Sequence, residues 1–101
     1  MAFHAFDSVK YDKATDSLEV VGTSNRDLGD GAEIHVAVVD VKDEDRRCQD
    51  KVGDKVALKS WTVTFPDSPF RDGEEVLVAG MSKDDDVPVF VWAESFTIAP
   101  K

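Results

Sequence analysis

The sequence contains one cysteine, Cys48, so it cannot form an internal disulfide. It also lacks any apolar run as long as the roughly 20 residues that a membrane-spanning helix needs. The N-terminal residues do not contain the apolar segment that is typical of a signal peptide. Basic residues are scarce, with 12 Lys and Arg against 21 Asp and Glu and a net charge of −9. Because nucleic acids and anionic membranes bind positive potential, we expect neither as a partner.

Residues that support catalysis or tight metal binding are equally sparse. Nucleophilic catalysis needs a base beside the nucleophile and a third group that orients it. The only histidines are His4, near the terminus, and His35, in an apolar segment, and no Ser or Cys stands in a G-x-S-x-G turn. Gly-rich phosphate loops and a recognisable set of four zinc ligands are also missing. We therefore expect no enzymatic activity and no cofactor.

The sequence does contain apolar and polar residues that alternate in short segments rich in Val, Thr, Phe and Trp. Clusters of Asp, Gly and Pro separate these segments about every ten residues, which is typical of an all-β protein. With 101 residues, 42% of them hydrophobic, the chain has the size and apolar content of one domain. We predict a single two-sheet antiparallel β-sandwich over residues 1–101, with six to eight strands. The segments that predict strands are 3–11, 18–23, 33–41, 56–65, 75–83 and 87–98.

Two connections have distinct compositions. Residues 42–51 carry four basic and four acidic side chains, and charge runs of this kind are usually solvated. We interpret this stretch as an exposed connection, either a loop or a short helical turn. Phe70, in contrast, lies between two groups of turn-forming residues, 66–69 and 71–73, so we expect it to fill the corner of the fold as a plug.

Several short motifs follow one another in the order seen in a known family. They are Leu18-Glu-Val-Val-Gly-Thr, Trp61-Thr-Val, Asp72-Gly73 followed by Val76-Leu-Val-Ala, an acidic turn, and Phe96-Thr-Ile. This order resembles bacterial and phage immunoglobulin-like domains over most of the chain. The resemblance implies an immunoglobulin-like β-sandwich and no active site.

The strands expected to form one sheet are apolar on both faces. In segment 75–83, Val76 and Val78 alternate with Leu77, Ala79 and Met81. A sheet in a two-layer sandwich has one buried face, so one of these rows must point outward. Exposed apolar patches mark protein contacts, and Trp and Phe are frequent anchors there. We predict a protein interface at Leu77, Met81, Phe90 and Trp92.

Two alternatives to this interface are open. The excursion at 42–55 could fold over the apolar face, or the strand register could slip by one residue, which would exchange the two faces.

Calcium binds several oxygen ligands at once, and the acidic residues of this sequence offer such ligands. Asp84, Asp85 and Asp86 lie between the last two segments and are calcium candidates. No D-x-D-x-D-G loop is present, so the plainer interpretation is that these residues form a solvated turn.

A Met-initiated immunoglobulin-like domain without a secretion signal fits the surface of a virion. We therefore expect a decoration protein of a phage capsid or tail, docked on other virion proteins through its apolar sheet. An alternative is a spacer or adhesive domain of a bacterial surface protein or secreted enzyme, located outside the cell as part of a longer chain. A third reading, a carbohydrate-binding module, would need Trp61, Phe90 or Trp92 flat and exposed.

Overall fold

The computed structural model of the protein describes residues 4–24, 33–53, 60–84 and 87–101. Among these residues, no helix is long and apolar enough to cross a membrane. The eight strands are β1 (His4–Asp12), β2 (Ser17–Ser24), β3 (Glu33–Asp40), β4 (Arg47–Gly53), β5 (Ser60–Phe65), β6 (Glu75–Asp84), β7 (Val87–Thr97) and β8 (Ala99–Pro100).

The strands form two four-stranded sheets. The first sheet has the order β5-β2-β1-β8, and the second has the order β4-β3-β6-β7. All neighbours are antiparallel except β1 and β8, which are parallel. Buried residues from both sheets form one hydrophobic cluster, so the sheets pack against each other as a sandwich. The prediction of an all-β protein with two sheets is confirmed.

Alternation along the strands determines which residues enter the core. On β5, Trp61, Val63 and Phe65 are buried, whereas Thr62 and Thr64 are exposed, as the sequence predicted. Successive side chains of a strand point to opposite faces, so every second residue reaches the core. The central strands supply fully buried aliphatic residues in the same way: Leu18 and Val20 on β2, Val36 and Val38 on β3, and Val76 and Val78 on β6.

Phe70 closes one corner of the sandwich. Its side chain has no solvent exposure. The Ser68 hydroxyl accepts a hydrogen bond from the Phe70 amide at 3.0 Å and donates one to the Phe70 carbonyl at 2.7 Å. These two bonds turn the chain inward at this point, and the predicted plug is confirmed.

Residues 42–50 are mostly exposed, as predicted, but the interpretation of 42–51 as only a loop or a helical turn is wrong, because β4 begins at Arg47. A tight turn joins Asp40 to Arg46, and the Asp40 amide donates a hydrogen bond to the Arg46 carbonyl at 3.0 Å. The chain then forms β4, which pairs with β3 along the edge of the second sheet. Charged residues are tolerated there because an edge strand has solvent on one side. As far as Gly53, the excursion therefore widens the sheet and does not cover its face.

The last predicted strand is also corrected at its end. β7 stops at Thr97, and the buried Ile98 carries the chain from the second sheet to the first. The Ile98 amide donates to the Glu74 carbonyl at 2.9 Å, and the Ile98 carbonyl accepts from the Gly73 amide at 2.8 Å. The predicted strand positions 3 and 56–59 lie outside the described residues.

Candidate interaction surface

The outer face of the first sheet is mostly polar. Its outward positions on the central and edge strands include Lys10, Glu19, Thr62 and Thr64. Glu19 is further occupied by an ion pair with Lys101, at 2.7 Å between the carboxylate and the ammonium group. This face has the composition expected of a sheet in contact with water.

The outer face of the second sheet has an apolar centre on β3, β6 and β7, whereas its β4 edge presents Arg47 and Gln49. Val39 lies opposite Leu77, and Ala37, Ala79 and Ala93 lie in register across three neighbouring strands. Leu77 is 37% exposed and Val41, just beyond β3, is 50% exposed; these are the exposed large hydrophobic residues of the described part. We call this surface the outer apolar face, and it consists of Ala37, Val39, Val41, Leu77, Ala79, Met81 and Ala93.

The structure describes the side chains of two of the four residues predicted as an interface, Leu77 and Met81. Leu77 and Met81 belong to the outer apolar face, opposite Ser95 and Val91 of β7. Trp92 is instead paired with Gly80, and Phe90 with Ser82. An interface that includes all four residues therefore stays a prediction. The side chains of Phe90 and Trp92 lie outside the described residues.

The facing predicted for β6 is confirmed. Val76 and Val78 are fully buried, and Leu77 points outward. The alternative of a one-residue slip is therefore wrong for this strand, since a slip would have buried Leu77 instead.

A groove of about 400 Å³ adjoins the outer apolar face at Val41. Its other lining residues are Asp40, Lys42, Gly73, Glu74 and Glu75. Asp40 and Glu74 are already engaged by Arg46, so they hold the fold together at this end of the molecule. Glu75 forms no ion pair with any other described residue and faces the same side as Leu77.

Arg46 is the centre of the polar contacts beside this groove. Its two terminal nitrogens donate to the two carboxylate oxygens of Glu74 at 2.6 and 3.0 Å, and one also donates to Asp40 at 3.1 Å. The guanidinium lies over the ring of Phe70, 4.8 Å from its centroid. Nothing in the charge-rich segment distinguishes Arg46 from Arg47, so sequence reasoning missed this role.

These contacts shift the carboxylate pKa values. Hydrogen bonds from the Lys42 amide and then from Arg46 lower the pKa of Asp40. The bond to Arg46 lowers the pKa of Glu74. Both carboxyl groups are therefore held as anions, and the positive charge of Arg46 compensates them within the fold.

The described residues offer little for chemistry. Cys48 packs against the core from β4, and burial raises the pKa of its thiol to about 11, so it is protonated and a poor nucleophile at neutral pH. No group of three or more potential metal ligands occurs in the described ranges. Of the calcium candidates, Asp84 ends β6, and its side chain together with Asp85 and Asp86 lies outside those ranges.

No family model, curated protein or solved structure matches the chain. A function must therefore be argued from its residues and geometry.

Proposed function

We propose that this protein is a non-catalytic module that docks on a larger protein assembly through the outer apolar face. The difference between the two outer faces supports this proposal. The first sheet presents mostly Lys, Glu and Thr to water, while the second presents Val, Ala, Leu and Met at its centre and Arg47 and Gln49 only at its β4 edge. Exposure of such a row to water has a free-energy cost that docking removes.

The dimensions of the face fit a protein contact. Strands of about eight residues at 3.3 Å each, in three rows at 4.8 Å, give an area of about 400 Å². This is below the roughly 800 Å² that each partner contributes to a standard interface. The face therefore suits attachment to an assembly that also contacts its rim, rather than a stable pair of isolated domains.

The charge of the protein indicates what that rim contact would be. The net charge is −9, and Glu75 stands unpaired among the described residues beside the groove. Complementarity favours a partner surface with an apolar centre and basic residues around it. It also disfavours a second copy of this acidic chain as the partner.

The proposed family is the bacterial and phage immunoglobulin-like domains that the motifs resemble. In immunoglobulin-like sandwiches the first, second and fifth strands share one sheet, and the third, sixth and seventh share the other. The sheets here have this division, with β4 added beside β3. The strand order thus supports the resemblance, and with it a setting on a phage virion, where the partners are capsid or other surface proteins.

Co-sedimentation with virions tests the proposal. Phage particles are prepared from a phage whose copy of the gene for this protein has been deleted. The labelled protein is mixed with these particles, and the fraction that sediments with them is measured. Leu77→Asp should weaken binding at least about thirtyfold, because an interface anchor contributes about 2 kcal/mol or more. Thr64→Asp, a matched change on the outer face of the first sheet, should bind like the wild type.

Two results would contradict the proposal. If Leu77→Asp and the wild type bind equally, the docking surface is elsewhere. If the wild type itself does not bind particles, the virion setting fails, and a spacer or adhesive domain of a bacterial surface protein becomes the better reading.

A further inference from the structure

Two residues of opposite charge flank the centre of the outer apolar face. Arg47 of β4 is paired with Val39, and Val39 is paired with Leu77, so these three residues lie in one row across the sheet. Glu75 precedes Leu77 by two residues on β6 and therefore faces the same way. Arg47, Leu77 and Glu75 are all exposed. One exposed cation and one exposed anion thus border the same apolar centre.

The outward direction of Arg47 follows from the residue beside it. Cys48 is paired with the buried Val38 and packs against the core. Because successive side chains of a strand point to opposite faces, Arg47 points away from the core. The sheet itself therefore places this cation on the outer face, whereas the guanidinium of Arg46 lies over the ring of Phe70.

The two charges lie at opposite corners of the centre. Strands about 4.8 Å apart place β4 and β6 about 10 Å from each other across β3, and two residues along a strand add about 7 Å, so the Cα atoms of Arg47 and Glu75 are about 12 Å apart. The groove of about 400 Å³ beside Val41 is lined by Glu75. A long side chain of a partner has room to reach Glu75 there.

We propose that the partner presents to this face an apolar side chain between an acidic residue, which meets Arg47, and a basic residue, which meets Glu75. The inference rests on the proposed docking function and adds the orientation of the partner. Opposite charges at the two corners attract the partner in one orientation and repel it in the reverse one, because like charges placed together across an interface are unfavourable. The partner's rim is thus basic at Glu75 but acidic opposite β4.

A second copy of this chain fits the face less well. A two-fold axis would place Arg47 of each copy against Glu75 of the other. However, the apolar centre covers only about 400 Å², about half of what each partner contributes to a standard interface. The net charge of −9 on each copy adds repulsion. A different protein is therefore the occupant that the charge and the area favour.

Charge reversal at Arg47 tests the proposal through the sign of its effect. Co-sedimentation with the phage particles prepared without this protein is measured in about 0.02 M salt, where charges are little screened. Arg47→Glu should weaken binding at least about tenfold, because it places a carboxylate against an acidic residue of the partner. A rim that is basic throughout would instead bind this more negative variant more tightly. Glu75→Lys should also weaken binding at least about tenfold.

A control variant and a change of salt separate these contacts from net charge and from the apolar contact. Lys10→Glu makes the same change in charge as Arg47→Glu at an exposed position on the outer face of the first sheet, and it should bind within about threefold of the wild type. In about 1 M salt the variants should bind like the wild type, because screening then acts beyond about 3 Å. If circular dichroism shows that Arg47→Glu is poorly folded, Arg47→Gln removes the charge alone and should still weaken binding.

Several results would overturn the inference. Equal or tighter binding of Arg47→Glu would show that the partner is not acidic opposite β4, and an equal loss in Lys10→Glu would show an effect of net charge. Dimers of the free wild type that dissociate in Arg47→Glu, detected by sedimentation equilibrium, would assign the two corners to a second copy. A wild type that does not bind the particles contradicts the proposed docking itself, and the inference fails with it.

Discussion

Gly22 of β2 lies directly opposite Trp61 of β5, and the indole ring covers the glycine. A β-carbon at Gly22 would overlap the six-membered part of the ring. Trp61 is buried there and meets Phe6 edge-on, with ring centroids 6.1 Å apart. The missing side chain thus provides the space in which a core tryptophan packs.

Gly22→Ala should destabilise the protein by about 1–3 kcal/mol, because the added methyl group forces the indole out of its position. Urea unfolding followed by tryptophan fluorescence measures the change. Trp61→Ala should cost about 3–5 kcal/mol through the cavity that it leaves. In the Trp61→Ala background, Gly22→Ala should cost much less, and additive effects would show that the two residues do not share this space.

Arg46→Ala should lower the free energy of unfolding by about 1 kcal/mol. The bidentate bond to Glu74 and the contact with Phe70 are lost, but both charged side chains are about one-third exposed (36% and 35%), so water limits the effect. Arg47→Ala, on the exposed edge strand, should change stability by less than about 0.5 kcal/mol. Equal effects of the two substitutions would contradict a special role of Arg46.

The pH dependence of stability should reflect the same contacts. Asp40 and Glu74 have pKa values below their ordinary 3.8 and 4.5, so their stabilisation is present above those values and is lost as the pH falls through the lower folded values. Thermal unfolding between pH 6 and 2 should show this loss. The acid-induced decrease in melting temperature should be smaller in Arg46→Ala, whose carboxylates lack their partner.

Cys48 should react slowly with thiol reagents while the protein is folded. Burial raises its pKa from 9.0 to about 11, so at pH 8 iodoacetamide should modify the folded protein at least about tenfold more slowly than the urea-unfolded chain. Mass spectrometry over a time course measures both rates. Rapid modification of the folded protein would mean that β4 leaves the sheet easily.

The same substitution on the two faces of β6 should have different effects on the free energy of unfolding. Leu77→Asp should change the free energy of unfolding by no more than about 0.5 kcal/mol, as for exposed positions in general. Val78→Asp should prevent folding or cost several kcal/mol, because it places an unpaired charge in the core. Circular dichroism during urea unfolding compares them, and similar losses would show that Leu77 is core.

The sequence was sufficient for the features that depend on local alternation and turn chemistry. The alternation of apolar and polar residues predicts the exposed and buried sides of β5 and the opposite facing of Val76 and Leu77. The turn residues on either side of Phe70 predict that its isolated aromatic ring is buried. The outward row on the second sheet was also foreseeable, because a strand that is apolar on both sides cannot bury both in a two-layer fold.

Only the tertiary structure decided the features that depend on position within a sheet. The charged segment 42–51 contains an edge strand because solvent on one side accommodates its charges, which local composition does not reveal. Ile98 leaves β7 because its backbone bonds to Gly73 and Glu74, far away in sequence. Arg46 differs from Arg47, and Leu77 lies opposite Ser95, because pairing partners and register are set between strands and are not encoded within any one of them.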